Sequence, residues 1–208
     1  MPETETPVLT DPAAGDAGAA PAARRTVLHV GCGPADPAKL PAAFFPAEAW
    51  QEVRLDIDPA VGPDIIASIT DMADVAAGSA DAIWSSHNLE HLYPHEVPAA
   101  FAEFRRVLKP GGFALMTMPD LQQVAALVAQ DKLGDAAYVS PAGPITPLDM
   151  LYGLNSALAQ GNHYMAHNTG FTARTLEAGL RAAGFPVVRV VRDGNFALWA
   201  TAYMSAPQ

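Results

Sequence analysis

Three groups of residues in this sequence have types and spacing suited to chemistry. Gly31 and Gly33 flank Cys32 directly after the β-rich run Thr26-Val27-Leu28-His29-Val30. Glycines at a strand end let a ligand lie against bare backbone, where a Cβ would intrude. Acids close the next two runs: Asp56 and Asp58 end Glu52 to Asp58, and Asp71, between Thr70 and Met72, follows Asp64 to Ile69. A carboxylate at such an edge can accept hydrogen bonds from paired ribose hydroxyls, as in other nucleotide-binding sheets. The third group is imidazole: His87 emerges with Ser86 from a fourth run, and His163 and His167 share a later segment. An imidazole titrates near neutrality and can take a proton or orient a substrate. Each group has a plainer reading: a tight turn, a solvated loop acid, a structurally hydrogen-bonded ring.

The elements that must carry these groups can be read from periodicity. Short strands are expected at 26–30, 52–58, 64–69 and 81–86. After the fourth, Val97, Ala100, Phe101, Phe104, Val107 and Leu108 recur at helical spacing, and Lys109-Pro110-Gly111-Gly112 stops that helix before a buried strand at Phe113 to Met118. Strands alternating with helical segments imply a parallel sheet with both faces covered. Near the C-terminus, Thr172 can cap a helix bearing Leu176, Leu180 and Ala183, ended by Gly184. Val187 to Val191 and Phe196 to Met204 are then joined by only Arg192-Asp193-Gly194-Asn195, so they must pair antiparallel. The fold class expected is α/β, a Rossmann-like three-layer sandwich with a mostly parallel seven-stranded sheet and a C-terminal antiparallel hairpin.

Two segments stand apart. Residues 1–24 are rich in Ala, Pro, Gly, Thr and acids, with little to bury, and are expected to form a flexible tail before one domain over 25–208. Residues 119–171 exceed a single crossover helix, and a lid folding over the carboxyl ends of the strands is expected there.

Composition narrows the partners. The 208 residues carry 12 basic against 22 acidic side chains, a formal charge of −10 that repels nucleic acid and anionic membranes. No apolar run reaches a membrane-spanning length, and no signal core is visible, so a cytoplasmic protein is expected. The single cysteine, Cys32, excludes an internal disulfide. His87, His91 and His95, like His163 and His167, have helical i,i+4 spacing; without a cysteine set or a His-Glu-x-x-His pattern, no metal is expected.

In their order, Val27 to Gly33, Leu55-Asp56-Ile57-Asp58-Pro59, Thr70-Asp71-Met72, Ser86 to Leu92 and Leu108-Lys109-Pro110-Gly111-Gly112 resemble the motifs of class I S-adenosylmethionine-dependent methyltransferases, particularly the type 11 domains. The closing hairpin fits the same family and sets it apart from the dinucleotide-binding Rossmann fold. The resemblance implies S-adenosyl-L-methionine as cofactor and a small-molecule methyl acceptor. It implies donor contacts from His29, Gly31, Cys32, Gly33, Asp56, Ile57, Thr70, Asp71, Met72, Ser86 and His87. Of these, Asp56 would hold the ribose, Ile57 would pack on adenine, and Asp71 with the Met72 backbone would read the adenine edge. His29 stands where the family often has an acid near the donor ammonium. For catalysis, His87, His163 and His167 are the candidates. Two alternatives remain: a donor-binding regulatory module without turnover, and a dinucleotide or nucleotide-sugar enzyme. Pro34 and Asp36 disfavour the second, removing an amide and adding charge where a pyrophosphate would bind.

Overall fold

A computed structural model describes residues 23–206. The tail expected over 1–24 therefore lies, up to residue 22, outside the described residues. Apolar runs bounded by turn residues become β1 (Arg25–Val30), β2 (Trp50–Asp56), β3 (Ile65–Ile66), β4 (Ala80–Ser86) and β5 (Leu108–Pro119). The last two strands, β8 (Val187–Arg192) and β9 (Ala197–Tyr203), form the closing hairpin. The sheet order is β3-β2-β1-β4-β5-β9-β8. Strands β1 to β5 run parallel, and β9 lies antiparallel to both β5 and β8. The molecule has the Rossmann-like three-layer α/β fold, with a mostly parallel seven-stranded sheet and an antiparallel hairpin at its end.

Alternation along β1 divides the core. Leu28 and Val30 point to one face, where α1 (Val97–Val107) and α5 (Ala173–Ala182) bury Phe101, Phe104, Leu176 and Leu180. Thr172 caps α5 by accepting the Thr175 amide, and Gly184 follows with φ +94°. Val27 points to the opposite face, into a cluster with Phe45, Trp50, Trp84 and Leu115. No α-helix connects β1 to β2. The link holds one 3₁₀ turn, Pro37–Lys39, and aromatic rings cover the sheet there: Phe45 meets Trp50 edge-on at 5.1 Å and stacks on Phe113 at 6.2 Å.

Two boundaries differ from the sequence expectation. Only Ile65 and Ile66 of the run 64–69 pair with β2, because the chain leaves the sheet edge for the tight Ser68–Asp71 bridge. At β5, Leu108 already pairs with Ala80, after which the register jumps to Ala82 and Phe113. Residues 109–112 are thus accommodated as an irregularity within the strand, whose ladder starts before the Pro-Gly-Gly stop signal.

The segment between β5 and α5 contains α2 (Leu121–Val128), a small hairpin of β6 (Tyr138–Ser140) and β7 (Gly143–Ile145), α3 (Pro147–Tyr152), α4 (Asn155–Ala159) and a 3₁₀ turn at His163–Met165. Val124, Ile145 and Met150 form its own small core. None of the helices among the described residues is long and apolar enough to cross a membrane.

Candidate active site

The strand order reverses between β1 and β4, and open α/β sheets bind ligands in the crevice at the carboxyl ends flanking such a reversal. A cavity of about 350 Å³ lies there, bordered by Gly31, Gly33, Asp56, Ile57, His87 and His163 among others. Gly31 and Gly33 adopt left-handed conformations, φ +64° and +59°. A Cβ on Gly31 would come within 2.5 Å of the Asn88 side chain. The bend is therefore closed from below by the chain that leaves β4.

Asp56 ties this bend to the next strand end. Its Oδ2 accepts the Gly33 amide at 2.8 Å and its Oδ1 the Asp58 amide at 2.9 Å. Each carboxylate oxygen retains capacity for a second donor, which is what a ribose diol requires. Ile57, 52 % exposed, offers an apolar surface beside it. Lys39 holds the far side of the turn, donating to the carbonyls of Cys32 and Pro34.

His87 sits at a crossing point. Its φ of +48° is unusual for a residue with a side chain, and its amide donates to the Thr117 carbonyl on β5. The ring is half exposed and lies 3.3 Å from Glu90 Oε1. Partial burial opposes its protonation, and the Glu90 carboxylate more than offsets this, raising the His87 pKa. His87 borders the first cavity and also a second, of about 270 Å³, over the ends of β4, β5 and β9. Trp84, Trp199, Tyr138, Phe196 and Asp193 line the second cavity, together with Ser86. The Asp193 carboxylate is held by the Trp199 indole and the amides of Asn195 and Ala197.

The other expected site residues stand away from the first cavity's walls. His29 is buried at 3 % exposure and bound to Glu52 at 2.6 Å. Burial holds its imidazole below the usual range, although Glu52 pulls the other way. As an odd-numbered residue of β1 it shares the direction of Val27. Cys32 is buried, and burial pushes its thiol pKa up, away from a reactive thiolate. Thr70 bonds to Ser68 through its hydroxyl, and Asp71 is exposed. The Met72 amide, expected to read a ring nitrogen, instead donates to Glu103 Oε2 at 2.7 Å, a carboxylate clamped in turn by Arg106. His167 is partly buried, its Nδ1 2.9 Å from the Met150 carbonyl, and burial lowers its pKa against the influence of Glu90.

Several residues bordering the first cavity are not among the donor contacts expected from the motifs: Ser68, Ile69, Asn88, His91 and Tyr164. Asn88 and His91 fall in the Ser86 to Leu92 motif, where helix-capping roles are an equally good reading. Ser68 and Ile69 directly precede Thr70 and Asp71, whose polar groups give the stronger chemical signal.

Residues 28–116 match the family model of a methyltransferase domain. No curated protein gives a significant match. Among solved structures, the citrinin polyketide synthase CMeT domain aligns with a TM-score of 0.56 at 13 % identity, over 88 % of this chain and 47 % of that one. This chain thus spans about half the length of that relative. The PH0226 protein of Pyrococcus horikoshii OT3 aligns at 0.58 and 15 %, covering 87 % and 82 %. The 1,6-didemethyltoxoflavin-N1-methyltransferase of Burkholderia thailandensis, solved with 1,6-didemethyltoxoflavin and S-adenosylhomocysteine, aligns at 0.51 and 17 %, covering 86 % and 71 %. At these identities the likeness establishes the fold. Over residues 28–116 the chain is thus similar to methyltransferase domains, and it shares the Rossmann-like α/β fold of the solved structures.

Proposed function

We propose that this protein transfers a methyl group from S-adenosylmethionine to a small-molecule acceptor. The observation that carries the proposal is the pair of cavities meeting at His87, one against the glycine bend and Asp56, the other lined by aromatic rings. The first cavity suits the donor: its glycines leave backbone bare, and both Asp56 oxygens can accept further hydrogen bonds. Gly31, Gly33, Asp56 and Ile57 would hold the nucleoside, and Ser68 with Ile69 borders the same space. The donor supplies an activated methyl on a sulfonium, so the protein needs to align an acceptor lone pair and exclude water. His87, between the cavities, is the residue proposed to orient the acceptor or receive its proton, while His163 borders the donor side.

Trp84, Trp199, Tyr138 and Phe196 favour a flat, largely apolar acceptor, with Asp193 as a polar anchor. The Burkholderia methyltransferase, solved with bound 1,6-didemethyltoxoflavin and S-adenosylhomocysteine, is in keeping with a small-molecule acceptor. The segment over 119–171 contributes Tyr138 and Met150 to the second cavity and His163 and Tyr164 to the first, which supports its role as a lid over both. The net charge of −10 speaks against nucleic-acid acceptors. A cytoplasmic setting completes the proposal.

Calorimetric titration with S-adenosylhomocysteine, followed by a screen for its release from S-adenosylmethionine across planar acceptors, tests the reading. Saturable binding with release is expected; absence of binding at millimolar ligand overturns it. Tight donor binding with no turnover on any acceptor would instead favour a regulatory module.

A further inference from the structure

Glu90 is the most demanding side chain in the molecule. It is 1 % exposed, and neither of its carboxylate oxygens has an aligned hydrogen-bond partner. A buried carboxylate in that state is costly unless cations face it. The half-exposed His87 ring approaches only Oε1, at 3.3 Å and without hydrogen-bond alignment. The carboxylate also meets His91 and His167, and one ligand atom from each of the three lies within 4.8 Å of the others. The ring centroids of His91 and His167 stand 4.9 Å apart.

The hydrogen bonds around both rings are compatible with metal ligation. With Nδ1 2.9 Å from the Met150 carbonyl, His167 must donate there, which leaves Nε2 of the neutral ring as a lone pair. His91 has carbonyls at both nitrogens, Ala166 at 3.0 Å from Nδ1 and His87 at 3.0 Å from Nε2. A neutral imidazole carries one N–H, so in that state one of those contacts sets a lone pair against a carbonyl oxygen. Either a proton on the second nitrogen or a cation shared by Nε2 and the His87 oxygen removes the conflict, and the second also neutralises Glu90. Adjacent ligands of an ion at about 2.1 Å are themselves about 3 Å apart, the separation found.

We propose that Glu90, His91 and His167 form a binding site for a divalent transition-metal ion, with the His87 carbonyl as a further ligand. Two imidazoles and one carboxylate favour ions of the zinc, cobalt and nickel type over magnesium or calcium. The helical pairs visible in the sequence, His87 with His91 and His163 with His167, are not the cluster that forms. Its members come from two segments already laced together: the Asn168 and Thr169 amides donate to the Glu90 carbonyl, and Asn168 Nδ2 to the His91 carbonyl. The ion would act as a clasp between the chain leaving β4 and the segment that ends the 119–171 region, next to the proposed donor cavity.

The test uses the untagged full chain, stripped with chelator and titrated with Co²⁺ while visible absorption and thermal melting are followed. One equivalent should bind, with d–d bands and a raised Tm, and Zn²⁺ should displace it. Glu90→Gln and His167→Ala, checked for folding by circular dichroism, should each weaken binding at least tenfold, whereas His95→Ala, at an exposed position outside the cluster, should bind as the parent does. X-ray absorption of the parent Co²⁺ adduct should show two imidazoles, and decides between the outcomes if the variants do not fold. No saturable binding, equal binding by all variants, or an adduct without imidazole scattering overturns the proposal. Donor binding and turnover are not read, so failure here leaves the methyl-transfer reading to its own test.

Discussion

At the scale of single residues, the glycine bend is governed by two constraints that act together. A left-handed φ disfavours any side chain by about 1–2 kcal/mol, and at Gly31 the added Cβ would also strike Asn88. Gly31→Ala should therefore lower stability by about 1–3 kcal/mol and weaken S-adenosylhomocysteine binding at least tenfold by calorimetry, because the bend must move into the cavity or Asn88 out of it. Asp56 separates ligand binding from folding more cleanly. Asp56→Asn keeps one acceptor oxygen for a backbone amide and loses the charge, so donor affinity should drop by roughly tenfold, the worth of about 1.4 kcal/mol, with a smaller change in Tm. A variant that melts like the parent and binds equally well would remove Asp56 from the site. His29, beside the bend on β1, is committed to Glu52 at 2.6 Å.

Elements set which side chains can meet, and α3 illustrates how a short helix is held by its cap. Thr146 and Asp149 form a reciprocal capping box, and Asp149 also accepts the Asn155 amide and side chain, joining α3 to α4. Burial opposes ionisation of Asp149, but these donors from Thr146 and Asn155 prevail and bring its pKa to about 2, from 3.8. The folded value is depressed, so the stabilisation is complete above the unfolded pKa and disappears as pH falls through the folded one. Asp149→Asn should be less stable than the parent near neutrality by about 1 kcal/mol, after solvent screening of a partly exposed group. The gap in Tm between parent and variant should narrow from about pH 4 to about pH 2; a constant gap would show that the charge is not what matters. How much was legible at this scale followed how local the signal was. Strands β1, β2 and β4, helices α1 and α5 and the closing hairpin carry their own caps, periodicity and turns, and they form within a few residues of expectation. The two-residue β3 and the irregularity at residues 109–112 depend on partner strands, which no window of sequence contains. Likewise Gly31, Gly33 and Asp56 could be placed by strand ends alone, whereas the grouping of Glu90, His91 and His167 needed a segment about 75 residues away to fold back.

At the scale of the whole molecule, the two faces of the sheet are built differently, and this carries a testable consequence. One face has amphipathic helices whose apolar stripes could be seen in the sequence. The other, beside β1 and β4, is covered by a connection with no α-helix, where Phe45 is the central plug: 2 % exposed, edge-on to Trp50 and stacked on Phe113. An irregular segment has few ways to close around a lost ring, since its backbone is fixed by turns at Pro41 and Pro46 rather than by a continuous helical ladder. Phe45→Ala should accordingly fall in the range of about 3–5 kcal/mol for buried aromatic truncation, read as a lower urea midpoint with an unchanged slope. Phe45→Leu, which refills most of the volume, should recover more than half of that loss. The same connection carries Lys39, which holds the Cys32 and Pro34 carbonyls of the glycine bend and whose own carbonyl takes the Trp84 indole N–H. Loosening the plug should therefore weaken donor binding by those Phe45→Ala molecules that remain folded, while the Leu variant binds as the parent does. If Phe45→Ala destabilises by less than about 1 kcal/mol, the connection is not the structural layer that its burial indicates, and the glycine bend must be held from β2 alone.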